Sequence, residues 1–204
     1  MSDTAQEFDR AYAAEQLRRS RHPLRRLIKK LYLDRVLREI SGPTIDFGCG
    51  AGQMLARLPA GSVGLEVNPH LVEALRGNGI DARLYDADAD DFSLSTLEAG
   101  RYRSFVVAHV LEHFDDAAAV MRKLWRACAR LGVTTLVAVV PGAKGYASDS
   151  THKTFITRAW LRDNDLERCE GYALVGASYF PLDVRAAGDR FAFHELHLVY
   201  RRTP

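Results

Sequence analysis

Short apolar runs alternate with helical patterns along most of this chain, and that alternation restricts the possible fold more than any other feature. Helical patterns at 53–58, 69–76 and 117–131 each follow an apolar run. The runs at 104–110 and 134–140 are apolar throughout, which is typical of parallel strands covered on both faces. A strand, helix, strand order predicts a doubly wound parallel sheet. The five strands predicted for it are 44–47, 62–67, 82–85, 104–110 and 134–140.

The end of the chain has a different pattern. Residues 172–180 and 191–200 are strand-like, and only residues 181–190 connect them. This link is too short for a helical crossover of about a dozen residues, so the two strands are expected to pair antiparallel at one edge. Together with the five earlier strands they predict a seven-stranded sheet, mostly parallel, with an antiparallel final strand.

The residues before the sheet are predicted to be helical. Apolar residues recur at three- and four-residue steps over 7–40, with a break at Pro23, so two helices are expected. We assign 1–40 to a helical N-terminal cover, in which Tyr12 could close a site, and 41–204 to the main folding unit. This region also contains a basic window without an acid. The window is either a solvated helix face or a contact for an anionic surface, and its residues are Arg18, Arg19, Arg21, Arg25, Arg26, Lys29 and Lys30.

Composition is that of an ordinary globular domain. Of the 204 residues, 47% are hydrophobic and 26% charged, and the formal net charge is +2. No apolar stretch approaches the roughly 20 residues that cross a bilayer, and the N-terminus is polar, so a cytoplasmic protein is expected. The scattered Cys49, Cys128 and Cys169 predict reduced thiols rather than a disulfide or a zinc site.

A glycine-rich loop follows the first predicted strand. It runs Asp46-Phe47-Gly48-Cys49-Gly50-Ala51-Gly52, and it lets the backbone approach a ligand closely. The loop does not match the dinucleotide fingerprint, because that pattern requires a small residue where the chain has Gln53. Glu66 ends the second strand 18 residues after Gly48, where an acid binds ribose hydroxyls in nucleotide-binding sheets.

These two motifs resemble those of class I S-adenosylmethionine-dependent methyltransferases, which have a Rossmann-like fold. The resemblance implies that Asp46 engages the ammonium group of the methionyl part, that Glu66 binds the ribose, and that an acid after the third strand contacts adenine. We favour Asp86 for the last position, with Asp88 as its competitor, and we expect Phe92 to be a core residue rather than an adenine platform. The cofactor-binding residues implied are Asp46, Gly48, Cys49, Gly50, Gly52, Glu66, Val67, Asp86, Ala87 and His109.

The segment His109-Val110-Leu111-Glu112-His113 resembles the signature of the small-molecule branch of this family. That branch usually has aspartate before the preceding strand, where this chain has Ser104, so the match is weaker there. We predict His109, His113 and His152 as catalytic or substrate-facing residues, because imidazole titrates near neutral pH. A structural role for the Glu-His pair, and for the Asp-x-Thr-His segment that contains His152, stays open.

Four residues, His109, Glu112, His113 and His152, also resemble the metal-binding pattern of small-RNA 3′-terminal 2′-O-methyltransferases, with His109 in place of a glutamate. We assign no metal here. The pair His194 and His197 lies on a predicted strand and has the wrong spacing for a zinc protease.

The predicted function is methyl transfer from S-adenosylmethionine to a small-molecule or carrier-linked acceptor, most readily at oxygen. The alternatives are a metal-assisted RNA 2′-O-methyltransferase, although nucleic acid is the less favoured partner, and a non-catalytic S-adenosylmethionine-binding protein. The sequence does not indicate the oligomeric state.

Overall fold

The computed structural model describes residues 23–190 and 194–203, together with Arg10, Ala14 and Arg18, which are helical. Tyr12 and the rest of the first predicted N-terminal helix lie outside the described residues, as do Arg19 and Arg21 of the basic window. Of the other window residues, the side chains of Arg18 and Lys30 are described. The second predicted helix is present as α1, Pro23–Glu39, which begins at the proline that was expected to separate the two helices.

The described residues form one mixed sheet of eight strands in the order β3-β2-β1-β4-β5-β8-β7-β6. The first five strands are parallel to one another, and β6, β7 and β8 run antiparallel to their neighbours. The strands are β1 Thr44–Phe47, β2 Val63–Glu66, β3 Ala82–Leu84, β4 Ser104–Ala108, β5 Thr135–Pro141, β6 Arg168–Cys169, β7 Tyr172–Phe180 and β8 Glu195–Arg202.

The predicted fold class is confirmed, with two differences in detail. The sheet has an eighth strand, β6, whose two residues are too few to produce a periodic pattern. The antiparallel strand β8 lies inside the sheet between β5 and β7 rather than at its edge. The division of the chain at residue 40 stays a prediction.

Helices cover both faces of the sheet. Besides α1 they are α2 Pro69–Gly77, α3 Ala117–Leu131, α4 Ala143–Ala147 and α5 Arg158–Asp163, with short 3-10 helices at Leu55–Arg57, Leu111–His113 and Arg185–Asp189. In place of the helix predicted over 53–58, the structure has only the 3-10 turn Leu55–Arg57. Pro59 follows this turn and cannot donate a backbone hydrogen bond that would extend it. None of the helices in the described ranges has the length and apolar character needed to cross a bilayer.

Alternate residues of the central strands enter two apolar layers. Phe105 and Val107 face the layer that contains Trp125 of α3, whereas Val106 packs with Val36 of α1 on the other side. The boundaries of α3 match the predicted ones, since Asp116 caps its first turn and Gly132 ends it with a left-handed φ of 79°. This packing fixes the position of the carboxyl ends of β1, β2, β4 and β5 relative to one another.

The loop after β3 is closed by Asp90. Its Oδ2 accepts hydrogen bonds from the Tyr85 hydroxyl at 2.6 Å and from the Ser95 amide at 3.0 Å. Burial raises the pKa of Asp90, but these bonds outweigh it and lower the pKa from 3.8 to about 2. A lowered pKa stabilises the fold above pH 3.8, and the contribution disappears as the pH falls through about 2.

We therefore expect Asp90→Asn to lower the free energy of unfolding by about 1 kcal/mol at pH 7, since it weakens hydrogen bonds to a partly exposed charge. The difference from wild type should shrink as the pH falls from 4 towards 2. Urea denaturation across this range measures it. Asp163→Asn, at an exposed position in α5, serves as the control, and an equal loss in both variants would contradict this role of Asp90.

Candidate functional site

The carboxyl ends of β1, β2, β4 and β5 meet at one edge of the sheet, where ligands bind in open sheets of this kind. Because β8 runs antiparallel to β5, its first residue, Glu195, pairs with Pro141 and lies at the same edge. The glycine-rich loop, Glu66, His109 and Glu195 therefore surround one region.

The glycines of the loop all have left-handed backbones, with φ of 71° at Gly48, 52° at Gly50 and 71° at Gly52. A Cβ built at Gly48 would lie 2.4 Å from Val110 Cγ2, and one at Gly52 would lie 2.4 Å from Leu75 Cδ2. A Cβ at Gly50 would meet nothing within 4 Å. The loop thus packs tightly against the protein at two glycines and faces open space at the third.

Glu66 holds this loop from the end of β2. Its Oε2 accepts a hydrogen bond from the Gly50 amide at 2.8 Å, and its Oε1 accepts one from the Asn68 amide at 2.9 Å. Burial raises the pKa of Glu66, while hydrogen bonds from the amides of Asn68, Gly50 and Val67 oppose that rise. Each carboxylate oxygen has a further lone pair, so ribose hydroxyls can still donate to it.

Two further residues of the loop, Asp46 and Cys49, differ in charge. Asp46 is buried in β1. Burial raises the pKa of Tyr32, and the negative charges of Glu195 and Asp46 add to that rise. Cys49 is buried beside the loop, and burial together with Asp46 and Glu66 raises the pKa of its thiol. The thiol is therefore protonated at neutral pH, which leaves Cys49 a contact residue rather than a nucleophile. Two carboxylates near the loop favour a cationic ligand.

The predicted adenine-contacting residues directly follow β3. The backbone amide of Tyr85 donates to the carbonyl of Glu66 at 2.9 Å, which places the start of this segment beside the ribose candidate. Asp86 Oδ1 accepts from the Ala89 amide at 3.1 Å, so one of its oxygens stabilises a turn. Phe92 is 5% exposed and packs edge-on against Phe114, as expected for a core residue.

His109 stands between two carboxylates just beyond β4. Its Nε2 lies 3.1 Å from Glu195 Oε1, and its Nδ1 lies 3.4 Å from Glu112 Oε1. Burial lowers the pKa of His109, but the two carboxylates outweigh it and raise the pKa to about 10. Nε2 is hydrogen-bonded to Glu195 and Nδ1 faces Glu112, so two carboxylates position the ring. The catalytic role that the sequence suggests for His109 stays a prediction. Its φ of 57° shows that the turn, too, constrains this residue.

Sequence reasoning missed three residues of this region: Tyr32, Glu195 and His197. His197 Nε2 lies 3.6 Å from Glu195 Oε2, and the Tyr32 ring approaches the rings of His109 and His197 at centroid distances of 6.2 and 6.5 Å. Burial raises the pKa of Glu195, but His109 and His197 outweigh it and lower the pKa to about 2. The polar residues Glu195 and His197, at alternate positions of this strand, were the available signal.

The other two predicted catalytic residues, His113 and His152, lie together beside Glu112. One ligand atom from each of these three residues lies within 4.8 Å of the others, and the two imidazole rings have a centroid distance of 4.8 Å. Glu112 and the side chain of His152 are 1% and 9% exposed. Burial is the main cause that lowers the pKa of His113. The structure therefore brings both histidines to one buried carboxylate.

Residues 45–136 match the family model described as a methyltransferase domain. No curated protein matches the chain significantly.

Solved structures with this fold include an S-adenosylmethionine-dependent methyltransferase from Archaeoglobus fulgidus, with 17% identity and a TM-score of 0.66 over 87% of this chain and 94% of the other. Magnesium protoporphyrin IX methyltransferase from Synechocystis PCC 6803, solved with bound S-adenosylhomocysteine, has 14% identity and a TM-score of 0.66 over 98% of each chain. Geranyl diphosphate C-methyltransferase from Streptomyces coelicolor, solved with Mg²⁺, geranyl diphosphate and S-adenosylhomocysteine, has 11% identity and a TM-score of 0.61 over 86% of this chain and 79% of the other.

The matched segment contains the glycine-rich loop, Glu66, His109 and Glu112, and the sheet around it has the fold of these enzymes. The comparisons thus show a methyltransferase-domain match over residues 45–136 and, for the chain as a whole, the fold of S-adenosylmethionine-dependent methyltransferases.

Proposed function

We propose that this enzyme transfers the methyl group of S-adenosylmethionine to an oxygen atom of a small-molecule or carrier-linked acceptor. The observation that carries the proposal is the open space at Gly50 beside the buried carboxylate of Glu66, at the same sheet edge as the histidine cluster. A cofactor held beside Gly50 and Glu66 would present its methyl group towards Glu112, His113 and His152.

The cofactor supplies a methyl group on a positively charged sulfur. Asp46 and Glu66 give the loop region the negative charge that suits such a cation, and Asp46 would engage its ammonium group directly or through water. Glu66 and Val67 would hold the ribose, and Asp86 and Ala87 would border the adenine. The backbones of Gly48, Cys49, Gly50 and Gly52 would line the remaining surface.

Methyl transfer needs the acceptor atom aligned with the methyl carbon and the sulfur, and an acceptor hydroxyl must also lose its proton. The site has groups suited to that task, because Glu112, His113 and His152 gather proton-accepting atoms next to the cofactor edge. Such a cluster is of little use to an acceptor that has no proton to lose. His109 and Glu195 would form a fixed polar wall beside the acceptor.

Isotopic labelling tests the atom and the acceptor class together. The full chain is incubated with a small-molecule extract and S-adenosylmethionine that carries ¹³C in its methyl group. We expect new ¹³C methyl signals in the small-molecule or carrier-bound fraction, with the chemical shift of methyl on oxygen. Gly50→Arg, which blocks the proposed cofactor site, provides the background.

Three outcomes would contradict the proposal. Label only in ribonuclease-sensitive material would favour the RNA 2′-O-methyltransferase. Methyl signals only on nitrogen or carbon would overturn the choice of oxygen. Binding of S-adenosylhomocysteine without transfer to any fraction would favour a non-catalytic cofactor-binding protein.

A further inference from the structure

The protonation of His113 follows from its partners. Its Nδ1 lies 3.0 Å from the Thr151 hydroxyl oxygen, which in turn lies 2.7 Å from Asp149 Oδ1. A hydroxyl has one proton, and the carboxylate of Asp149 can only accept it. Thr151 must therefore accept from Nδ1–H of His113, so the lone pair of the neutral imidazole is on Nε2.

The same reasoning applies to His152. Its Nδ1 lies 2.8 Å from the backbone carbonyl oxygen of Tyr146, which can only accept a hydrogen bond. Nδ1 therefore carries the proton, and the lone pair of the neutral ring is again on Nε2. That Nε2 lies 3.9 Å from Glu112 Oε1.

Glu112 is the third residue of this group. Its side chain is 1% exposed, and neither carboxylate oxygen has a hydrogen-bond partner among the described residues; the nearest ion-pair contact is His109 Nδ1, 3.4 Å from Oε1. The lone pair of His152 Nε2 thus faces a buried carboxylate, and a ligand atom of His113 lies within 4.8 Å of both groups. A buried carboxylate without a hydrogen bond is costly, and a cation bound among the three groups would offset that cost.

We propose that Glu112, His113 and His152 bind a divalent cation of borderline hardness, such as Zn²⁺ or Co²⁺. Two imidazoles with one carboxylate are a common donor set for such ions, whereas Mg²⁺ prefers oxygen ligands. Asp149 through Thr151, and the Tyr146 carbonyl, orient the two rings in the way that outer partners orient metal-binding histidines. His109 is not in the group of described residues whose ligand atoms all lie within 4.8 Å of one another.

Three protein ligands leave coordination positions open for water or for an oxygen of the acceptor. A metal-bound hydroxyl has a lowered pKa, so the cation would promote the proton loss that oxygen methylation requires. This consequence rests on the proposed function, but metal binding itself does not. The two are therefore tested separately.

Titration of the untagged, chelator-treated full chain with Co²⁺ tests the site directly. We expect one Co²⁺ per chain, visible d–d absorption, displacement by Zn²⁺, and no competition from an equal concentration of Mg²⁺. Glu112→Gln should weaken Co²⁺ binding more than about 100-fold, because it removes the charged ligand.

Thr151→Val adds a test at an exposed position. It removes the acceptor that orients His113 and should weaken Co²⁺ binding about 10- to 100-fold. His70→Gln, which replaces an exposed histidine on α2, should leave binding unchanged. Lack of Co²⁺ and Zn²⁺ binding by wild type, unchanged affinity in Glu112→Gln or Thr151→Val, or equal competition by Mg²⁺ would overturn the site. Calorimetry with S-adenosylhomocysteine on the same chelator-treated samples shows whether the cofactor site is intact in either case.

Discussion

Replacing Gly50 by arginine is expected to reduce the affinity for S-adenosylhomocysteine at least about 100-fold, or about 2.7 kcal/mol of binding free energy. A side chain at Gly50 meets no protein atom within 4 Å, so it would project into the space that we assign to the cofactor. The added guanidinium would also bring positive charge to a site proposed for a cation. Isothermal titration calorimetry measures the loss.

The strain of a non-glycine residue at φ 52° must be separated from this effect. Gly79→Arg is a matched control, because Gly79 has φ of 75° and its Cβ would likewise meet nothing within 4 Å. Gly79 lies after α2, outside the glycine-rich loop. Because both glycines have a left-handed φ, the two variants carry similar backbone strain. Equal affinities in wild type and Gly50→Arg, or equal losses in Gly50→Arg and Gly79→Arg, would show that the loop does not hold the cofactor.

Glu66→Ala is expected to weaken binding of S-adenosylhomocysteine by about 30- to 100-fold. The change removes the proposed ribose acceptor and leaves the amides of Gly50 and Asn68 without their carboxylate partner, and hydrogen bonds to charged groups are worth about 1.5–3 kcal/mol each. The affinity of Glu66→Gln should lie between those of Glu66→Ala and wild type, because the amide keeps one of the two carboxylate oxygens. Affinity should also fall on acidification, since burial raises the pKa of Glu66 and only the ionised carboxylate accepts at both oxygens.

Glu73→Ala is the control for this experiment, because Glu73 is an exposed acid on the neighbouring helix α2. It should change neither the affinity nor its dependence on pH. Urea denaturation of each variant separates lost binding from lost folding. A Glu66→Ala protein that folds and binds S-adenosylhomocysteine as wild type does would remove Glu66 from the cofactor site.

The parts of the fold that the sequence predicted well depend on local signals. The bounds of α3 follow from an amphipathic run between Asp116 and Gly132, and each of those residues caps the helix in the structure. The glycine-rich loop was recognisable because its spacing is local and it directly follows an apolar strand. Its tight packing on Val110 and Leu75 explains two glycines, and only the structure shows that the third faces open space.

The parts that were missed depend on long-range pairing. The segment 194–197 was expected at an edge, and the position of β8 between β5 and β7 brings Glu195 to His109 instead. This contact engages Nε2 of His109. The protonation of His113 and His152 likewise depends on Thr151 and on the Tyr146 carbonyl, whose distances no sequence pattern contains.

A crystal structure of the full chain with S-adenosylhomocysteine tests the central claim most directly. We predict ribose hydroxyls within hydrogen-bond distance of the Glu66 carboxylate, the Gly50 backbone in contact with the cofactor, and the sulfur facing the cluster of Glu112, His113 and His152. Cofactor bound elsewhere, or a ribose with no contact to Glu66, would contradict the account.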